Sequence, residues 1–116
     1  MRNPLPLASA LVIVTLALCF APTVQAQSCP ADLTWLDAQV STPRLKTALE
    51  KPFDDLVSQA GSLPAAISQA QAQLADLQAR RAALPVDASE AEKTLYNDAI
   101  LIGQNRVSGL QCRLPT

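Results

Sequence analysis

The stretch from about residue 62 to residue 84 constrains the fold most, because it carries an apolar seam with heptad spacing. The seam positions alternate spacings of four and three residues and are Leu63, Ile67, Ala70, Leu74, Leu77, Arg81 and Leu84. Such a pattern is typical of a helix that packs along its length against another helix. It predicts a helix over about 62–84, with Ser62 as its N-cap and Pro85 as its stop.

A second long helix is predicted over about 87–112. Asp87 is followed three residues later by Glu90, which is the capping-box pattern. Apolar residues then recur near the helical period as far as Leu110. Because the connection around Pro85 is short, the two helices are expected to form an antiparallel hairpin. Gly103 lies at the edge of the apolar stripe and is interpreted as a point of close helix packing.

The chain before the hairpin is predicted to form two shorter helical segments. The first covers about 30–40, with Ser28 as its N-cap. The second covers about 43–60, and Gly61 ends it because glycine adopts the left-handed conformation of a helix stop. Pro52 interrupts the second segment, which is therefore either kinked or broken into two helices.

The composition between residues 27 and 116 favours helices throughout. It includes 15 alanines and 13 leucines, against 7 valines and isoleucines together. Alanine and leucine are strong helix formers, whereas the β-branched residues that favour strands are scarce. We therefore predict an all-α fold, a small antiparallel bundle of three to four helices built on the long hairpin of about 62–84 and 87–112.

The first 26 residues are typical of a secretory signal peptide. Arg2 precedes a 14-residue apolar run over 7–20, and Val24-Gln25-Ala26 fits a cleavage site. The run is short for a bilayer span, which needs about 20 apolar residues. We predict that residues 1–26 are removed, which leaves a single helical domain over 27–116 that is periplasmic or secreted and has no stable membrane insertion. An uncleaved membrane anchor is the alternative.

Cys29 and Cys112 are the two cysteines that remain when Cys19 leaves with the signal peptide. An oxidising compartment favours a disulfide between such a pair. A structural zinc site needs about four ligands, and this chain has no histidine to complete one. The sequence therefore predicts a disulfide between Cys29 and Cys112, and it predicts no metal or other cofactor.

The functional class follows largely from what the sequence lacks. Without histidine the chain lacks the usual general base, and the mature chain has neither a nucleophile motif nor a phosphate-binding loop, so no enzyme activity is expected. A net charge of −1 argues against nucleic-acid binding. We predict an exported interaction module, such as an inhibitor, adaptor or chaperone-like factor, whose partner is another protein. The alternatives are a carrier of a small apolar ligand between the helices and a homodimer.

Four apolar residues are candidates for a partner or ligand surface. Ile100, Leu101 and Val107 widen the apolar face of the second long helix beyond what one seam requires. Trp35 is the only tryptophan and lies in the short first segment. It is expected in the core, and an exposed anchor for a partner protein is the alternative.

Arg81 and Arg106 are the charged candidates, because both occupy seam positions. Their aliphatic stems are expected to cover the apolar stripe while their guanidinium groups reach water. The alternative is that both arginines share one groove and bind a carboxylate or a phosphate.

The polar run 96–98 is expected on the surface, because consecutive helical residues point in different directions.

Overall fold

The structure is a computed structural model that describes residues 29–115, and every regular element in that range is helical. In chain order these are two 3-10 helices, Thr34–Gln39 and Pro43–Leu45, and then α1 (Lys46–Leu49), α2 (Phe53–Ala60), α3 (Leu63–Ala82) and α4 (Glu90–Gln111). The predicted all-α fold built on a long hairpin is confirmed. The predicted signal peptide, residues 1–26, lies outside the described residues. Within 29–115, no helix is both long and apolar enough to cross a membrane.

The long hairpin is formed by α3 and α4, and each helix begins at a serine cap. The Ser62 hydroxyl accepts a hydrogen bond from the Ala65 amide at 3.2 Å, as predicted. At the start of α4 the Ser89 hydroxyl accepts from the Glu92 amide at 3.1 Å, so the prediction that Asp87 caps this helix is wrong by two residues. The chain is still turning after α3, and the helix begins only when that turn is complete.

The first segment forms a 3-10 helix rather than the predicted α-helix over 30–40. The Asp32 carboxylate accepts hydrogen bonds from the Thr34 amide at 3.0 Å and from its hydroxyl at 2.8 Å, and the helix begins there. These bonds lower the pKa of Asp32, the amide bond most strongly. Leu33, Leu36 and Val40 are all buried, so the predicted apolar face packs inward despite the tighter helix.

Pro52 breaks the second segment into two helices. It adopts an extended conformation with ψ of 147°, so α1 cannot continue into α2. The break leaves backbone groups free to pair with the start of the described chain. The Phe53 amide donates to the Ala31 carbonyl at 2.9 Å, and the Leu33 amide donates to the Leu49 carbonyl at 2.9 Å. Of the two alternatives for this segment, the structure shows two short helices.

The hydrophobic core lies at one end of the hairpin. Its buried apolar residues are Leu33, Leu36, Val40, Leu49, Phe53, Ala66, Ile67, Ala70, Ile102 and Leu110. The hairpin contributes only from the first half of α3 and the second half of α4, and no residue between 71 and 97 is buried. Residues 71–97 therefore form a two-helix arm, called the arm below, that extends beyond the core.

The two ends of the described chain meet beside this core. Cys29 and Cys112 lie at disulfide-bonding distance, with Cα atoms 5.8 Å apart. Arg113 supports the junction by donating to the Pro30 carbonyl at 2.7 Å, and its guanidinium lies 4.7 Å from the centre of the Phe53 ring. The alternating directions of successive helices predict this arrangement, because they bring the first segment and the end of α4 to the same end of the bundle.

Two glycines of α4 are expected to respond in opposite ways to substitution by alanine. A Cβ at Gly109 would lie under 3.0 Å from three ring carbons of the buried Phe53. We expect Gly109→Ala to lower the free energy of unfolding by about 2 kcal/mol, because a well-packed core does not accept an extra methyl group. At Gly103 the nearest atom is the flexible tip of Leu74 at 3.2 Å. Gly103→Ala should be neutral or stabilising, since alanine gains about 1 kcal/mol of helix propensity. Urea denaturation measures both variants, and equal losses would exclude the ring contact as the cause.

Candidate functional site

An open pocket of about 230 Å³ lies between α2, α3 and α4 in the described part of the chain. The residues that line it are Lys51, Leu56, Gln59, Ala66, Gln69, Ala70, Gln73, Arg106 and Leu110. Ala66 and Ala70 are buried and present only methyl groups, so α3 leaves space where larger residues would fill it. The pocket therefore exists because α3 carries small side chains at this level.

The lining of the pocket is polar and positively charged. Lys51 and Arg106 are its two charged residues, and no carboxylate is among the nine. The Lys51 ammonium donates to the Gln59 side-chain oxygen at 3.0 Å. Gln69 and Gln73 are exposed on α3, which places neutral amide groups at the mouth. This lining favours a polar ligand over the apolar ligand of the alternative prediction.

Arg106 is the unusual member of the pocket. Its Nε atom is buried and has no hydrogen-bond partner among the described residues. Burial also lowers the pKa of the Arg106 guanidinium, although an arginine remains protonated near neutral pH. An unpaired buried donor costs about 1–3 kcal/mol, and a charged one costs more. The expectation that this guanidinium is exposed to water is therefore wrong for its Nε atom, which is buried.

Arg81 and Arg106 do not share a groove. The Arg81 Nε donates to the Asn97 side-chain oxygen at 3.0 Å, which links α3 to α4 within the arm. Arg81 lies eight residues beyond Gln73, the furthest pocket residue along α3, so it is about 12 Å further along the helix. Arg81 therefore contributes to the hairpin and lies outside the pocket.

The predicted apolar surface residues do not gather into one site either. Trp35 is 53% exposed, so the expectation that it belongs to the core is wrong, and its side chain is accessible to a partner. Ile100, Leu101 and Val107 are half-buried, and the last two pack against the core. Among the six residues predicted for a partner or ligand surface, only Arg106 lines the pocket.

Asp98 is a residue whose role sequence reasoning missed. The prediction that 96–98 lies on the surface is wrong for Asp98, which is 7% exposed. Its Oδ2 accepts hydrogen bonds from the Ser41 amide at 3.0 Å, from the Thr42 amide at 2.9 Å and from the Thr42 hydroxyl at 2.8 Å. Asp98 thus fixes the connection between the first and second segments to α4.

The remaining pocket residues were also missed, because they come from separate parts of the chain. The one signal that pointed to the pocket was a charged residue, Arg106, at a seam position of an apolar stripe.

Comparison with known protein families, with curated proteins and with solved structures found no match to this chain. The described residues form a small α-helical fold, in which Cys29 and Cys112 lie together and a cationic pocket lies beside the core.

Proposed function

We propose that the protein is an exported helical interaction module that binds a partner protein through the outer face of α3. The observation that carries this proposal is a second stripe along α3, made of small residues with heptad spacing and pointing away from the core. Its members are Ser68, Ala72, Ala75, Ala79 and Ala82, and all are exposed. Small side chains let another helix approach closely, because interhelical distance depends on the residues at the contact. This stripe is called the small-residue face below.

The scarcity of charge over residues 63–79 of α3 is the second support for a contact surface. Between Leu63 and Ala79 the only charged residue is Asp76, which forms an ion pair with Arg80 at 2.8 Å. Helix propensity alone does not account for this, because lysine and glutamate form helices nearly as well as alanine. A solvated helix usually carries charges on its outer face, whereas the centres of protein interfaces are depleted of them.

The shape of the hairpin suits a helical partner. No residue of the arm is buried. A partner helix with its own narrow stripe of small or apolar residues would pack against the small-residue face at a short interhelical distance. Export is supported by the predicted signal peptide and by the proximity of Cys29 and Cys112, which suits an oxidising compartment.

The test compares two lysine substitutions at exposed positions. A photo-crosslinking residue at position 75 first captures the partner in producing cells, with position 104 of α4 as the control. Binding of the purified partner to Ala75→Lys and to Gln104→Lys is then measured by calorimetry. Both positions are exposed, and the exchange of alanine for lysine costs only a few tenths of a kcal/mol of helix propensity. We expect Ala75→Lys to weaken binding about 100-fold and Gln104→Lys to change it less than about twofold.

Two outcomes contradict this assignment in different ways. If both lysine variants bind the captured protein with equal affinity, the small-residue face is not the contact surface. If no second protein is captured and sedimentation shows a dimer that Ala75→Lys dissociates, the surface is correct but the partner is a second copy of the chain. That second result replaces the interaction module with the homodimer alternative.

A further inference from the structure

We propose that the pocket between α2, α3 and α4 binds a carboxylate group through Arg106 and Lys51. The carboxylate site goes beyond the proposed function, because it lies on a different side of α3 from the small-residue face. The lining supplies two positive charges and no carboxylate, and the partly buried Arg106 forms no ion pair among the described residues. Largely buried charges in folded proteins are usually paired, so the counter-charge that the described residues do not supply is expected to come from a ligand.

Comparison with other arginines of the hairpin shows how Arg106 differs. Arg80 is paired with Asp76, and Arg81 donates to an amide oxygen across the hairpin. Arg113 donates to two backbone carbonyls and lies over an aromatic ring. Each of these three cations has an acceptor supplied by the chain. Arg106 is half-buried, as Arg81 and Arg113 are, but its buried Nε has no acceptor.

The chemistry of the lining favours a carboxylate. The edge of a guanidinium presents parallel N–H donors that match the two oxygens of a carboxylate. Lys51 adds a second cation, and Gln69 and Gln73 carry amide groups that can donate to the same anion. Leu56 contributes an apolar wall, which suits the methylene groups next to a carboxylate.

The size of the pocket indicates how much of a ligand it holds. A volume of about 230 Å³ is below the roughly 300–1,000 Å³ of sites that enclose a whole drug-sized ligand. The pocket therefore holds an end group, while the rest of the ligand extends from its open mouth. An aliphatic carboxylate fits, whether it is a free small molecule or an acidic group of a peptide.

The direct test is nuclear magnetic resonance on the oxidised protein as purified from producing cells, labelled with ¹⁵N. Butyrate represents the free molecule, and an acetylated dipeptide ending in glutamate represents the peptide source. Ionic strength is held constant with sodium chloride. We expect saturable shifts of the Arg106 Nε–Hε signal and of the Gln69 and Gln73 side-chain amides, with the Arg81 signal unchanged. The probe that binds at least about tenfold more tightly identifies the source.

Variants separate the pocket from general charge effects. Arg106→Met keeps an unbranched aliphatic side chain but removes the guanidinium, so both probes should lose their saturable shifts. The same variant should raise Tm by about 4–8 °C, because an unpaired buried donor is removed. Arg81→Met removes the same charge from the arm and should keep binding without the rise in Tm. Lys51→Gln provides a second test if Arg106→Met fails to fold, with an expected loss of about tenfold in affinity.

Three results would overturn the proposal. The first is the absence of a saturable shift with either carboxylate probe. The second is an equal shift of the Arg81 signal, which would indicate screening rather than a site. The third is tighter binding of inorganic phosphate than of both carboxylates, which would assign the pocket to a tetrahedral anion.

Discussion

Reduction of the Cys29–Cys112 pair is expected to lower the free energy of unfolding by about 4–5 kcal/mol. The two cysteines are separated by 83 residues, and closing a loop of this size removes that much chain entropy from the unfolded state. A domain of this length has a net stability of about 5–10 kcal/mol, so the pair carries a large share of it. The effect should be largest around the first segment, whose six-residue 3-10 helix has little stability of its own.

Denaturation with urea in the presence and absence of reductant measures this effect. The double variant Cys29→Ser, Cys112→Ser is the control, because a reductant should leave its stability unchanged. Other contacts also fix the first segment, including the bond from Arg113 to Pro30, so the reduced protein should keep its helices at low temperature. Equal unfolding free energies for the oxidised and reduced proteins would remove the energetic role of the pair. Two titratable thiols in the exported protein would show that no disulfide forms.

Helix positions were readable from the sequence where the signal was local. The Ser62 cap, the interruption at Pro52 and the stop at Gly61, with φ of 97°, each depend on a few neighbouring residues. The sequence does not distinguish Asp87 from Ser89 as the N-cap of α4, because each precedes a glutamate by three residues. Only the turn after α3, in which the Ala88 amide donates to the Pro85 carbonyl at 3.0 Å, decides between them.

The extent of the core was not readable from the sequence. The heptad seam suggests burial along all of α3, yet Leu74 and Leu77 are only half-buried. The reason is the length of the N-terminal part, because its short helices reach only one end of the hairpin. A seam pattern shows which face of a helix packs against a neighbour, but it does not show how many layers cover that face.

The pocket and the buried carboxylate depend on contacts between distant parts of the chain. Arg106 and Lys51 are separated by 55 residues, and Asp98 lies 56 and 57 residues from its partners. No local pattern encodes such pairs. Asp98 stands between Asn97 and Ala99 in a sequence typical of an exposed helix. Trp35 was wrongly placed in the core although it lies off the stripe of Leu33, Leu36 and Val40, which is the face that the structure buries.

Replacement of Asp98 by alanine is expected to lower the free energy of unfolding by about 3 kcal/mol. One carboxylate oxygen accepts three hydrogen bonds from Ser41 and Thr42, and bonds to a charged acceptor contribute about 1.5–3 kcal/mol each. Burying the carboxylate costs free energy, and this cost offsets part of what the three hydrogen bonds contribute. The net stabilisation is therefore about that of one to two such bonds. Loss of the acceptor also leaves two backbone amides unpaired just before Pro43, where the second segment begins.

Matched variants at and beside this position make the expectation specific. Asp98→Asn keeps an oxygen of similar position but loses the charge, so it should cost about half as much as Asp98→Ala. Asn97→Ala alters the exposed neighbour and should change stability by less than about 0.5 kcal/mol. Urea denaturation gives the three values, and hydrogen exchange should accelerate first at the Ser41 and Thr42 amides. If Asp98→Ala is as stable as Asn97→Ala, the carboxylate does not hold this connection, and the first segment must be fixed to α4 by the apolar core alone.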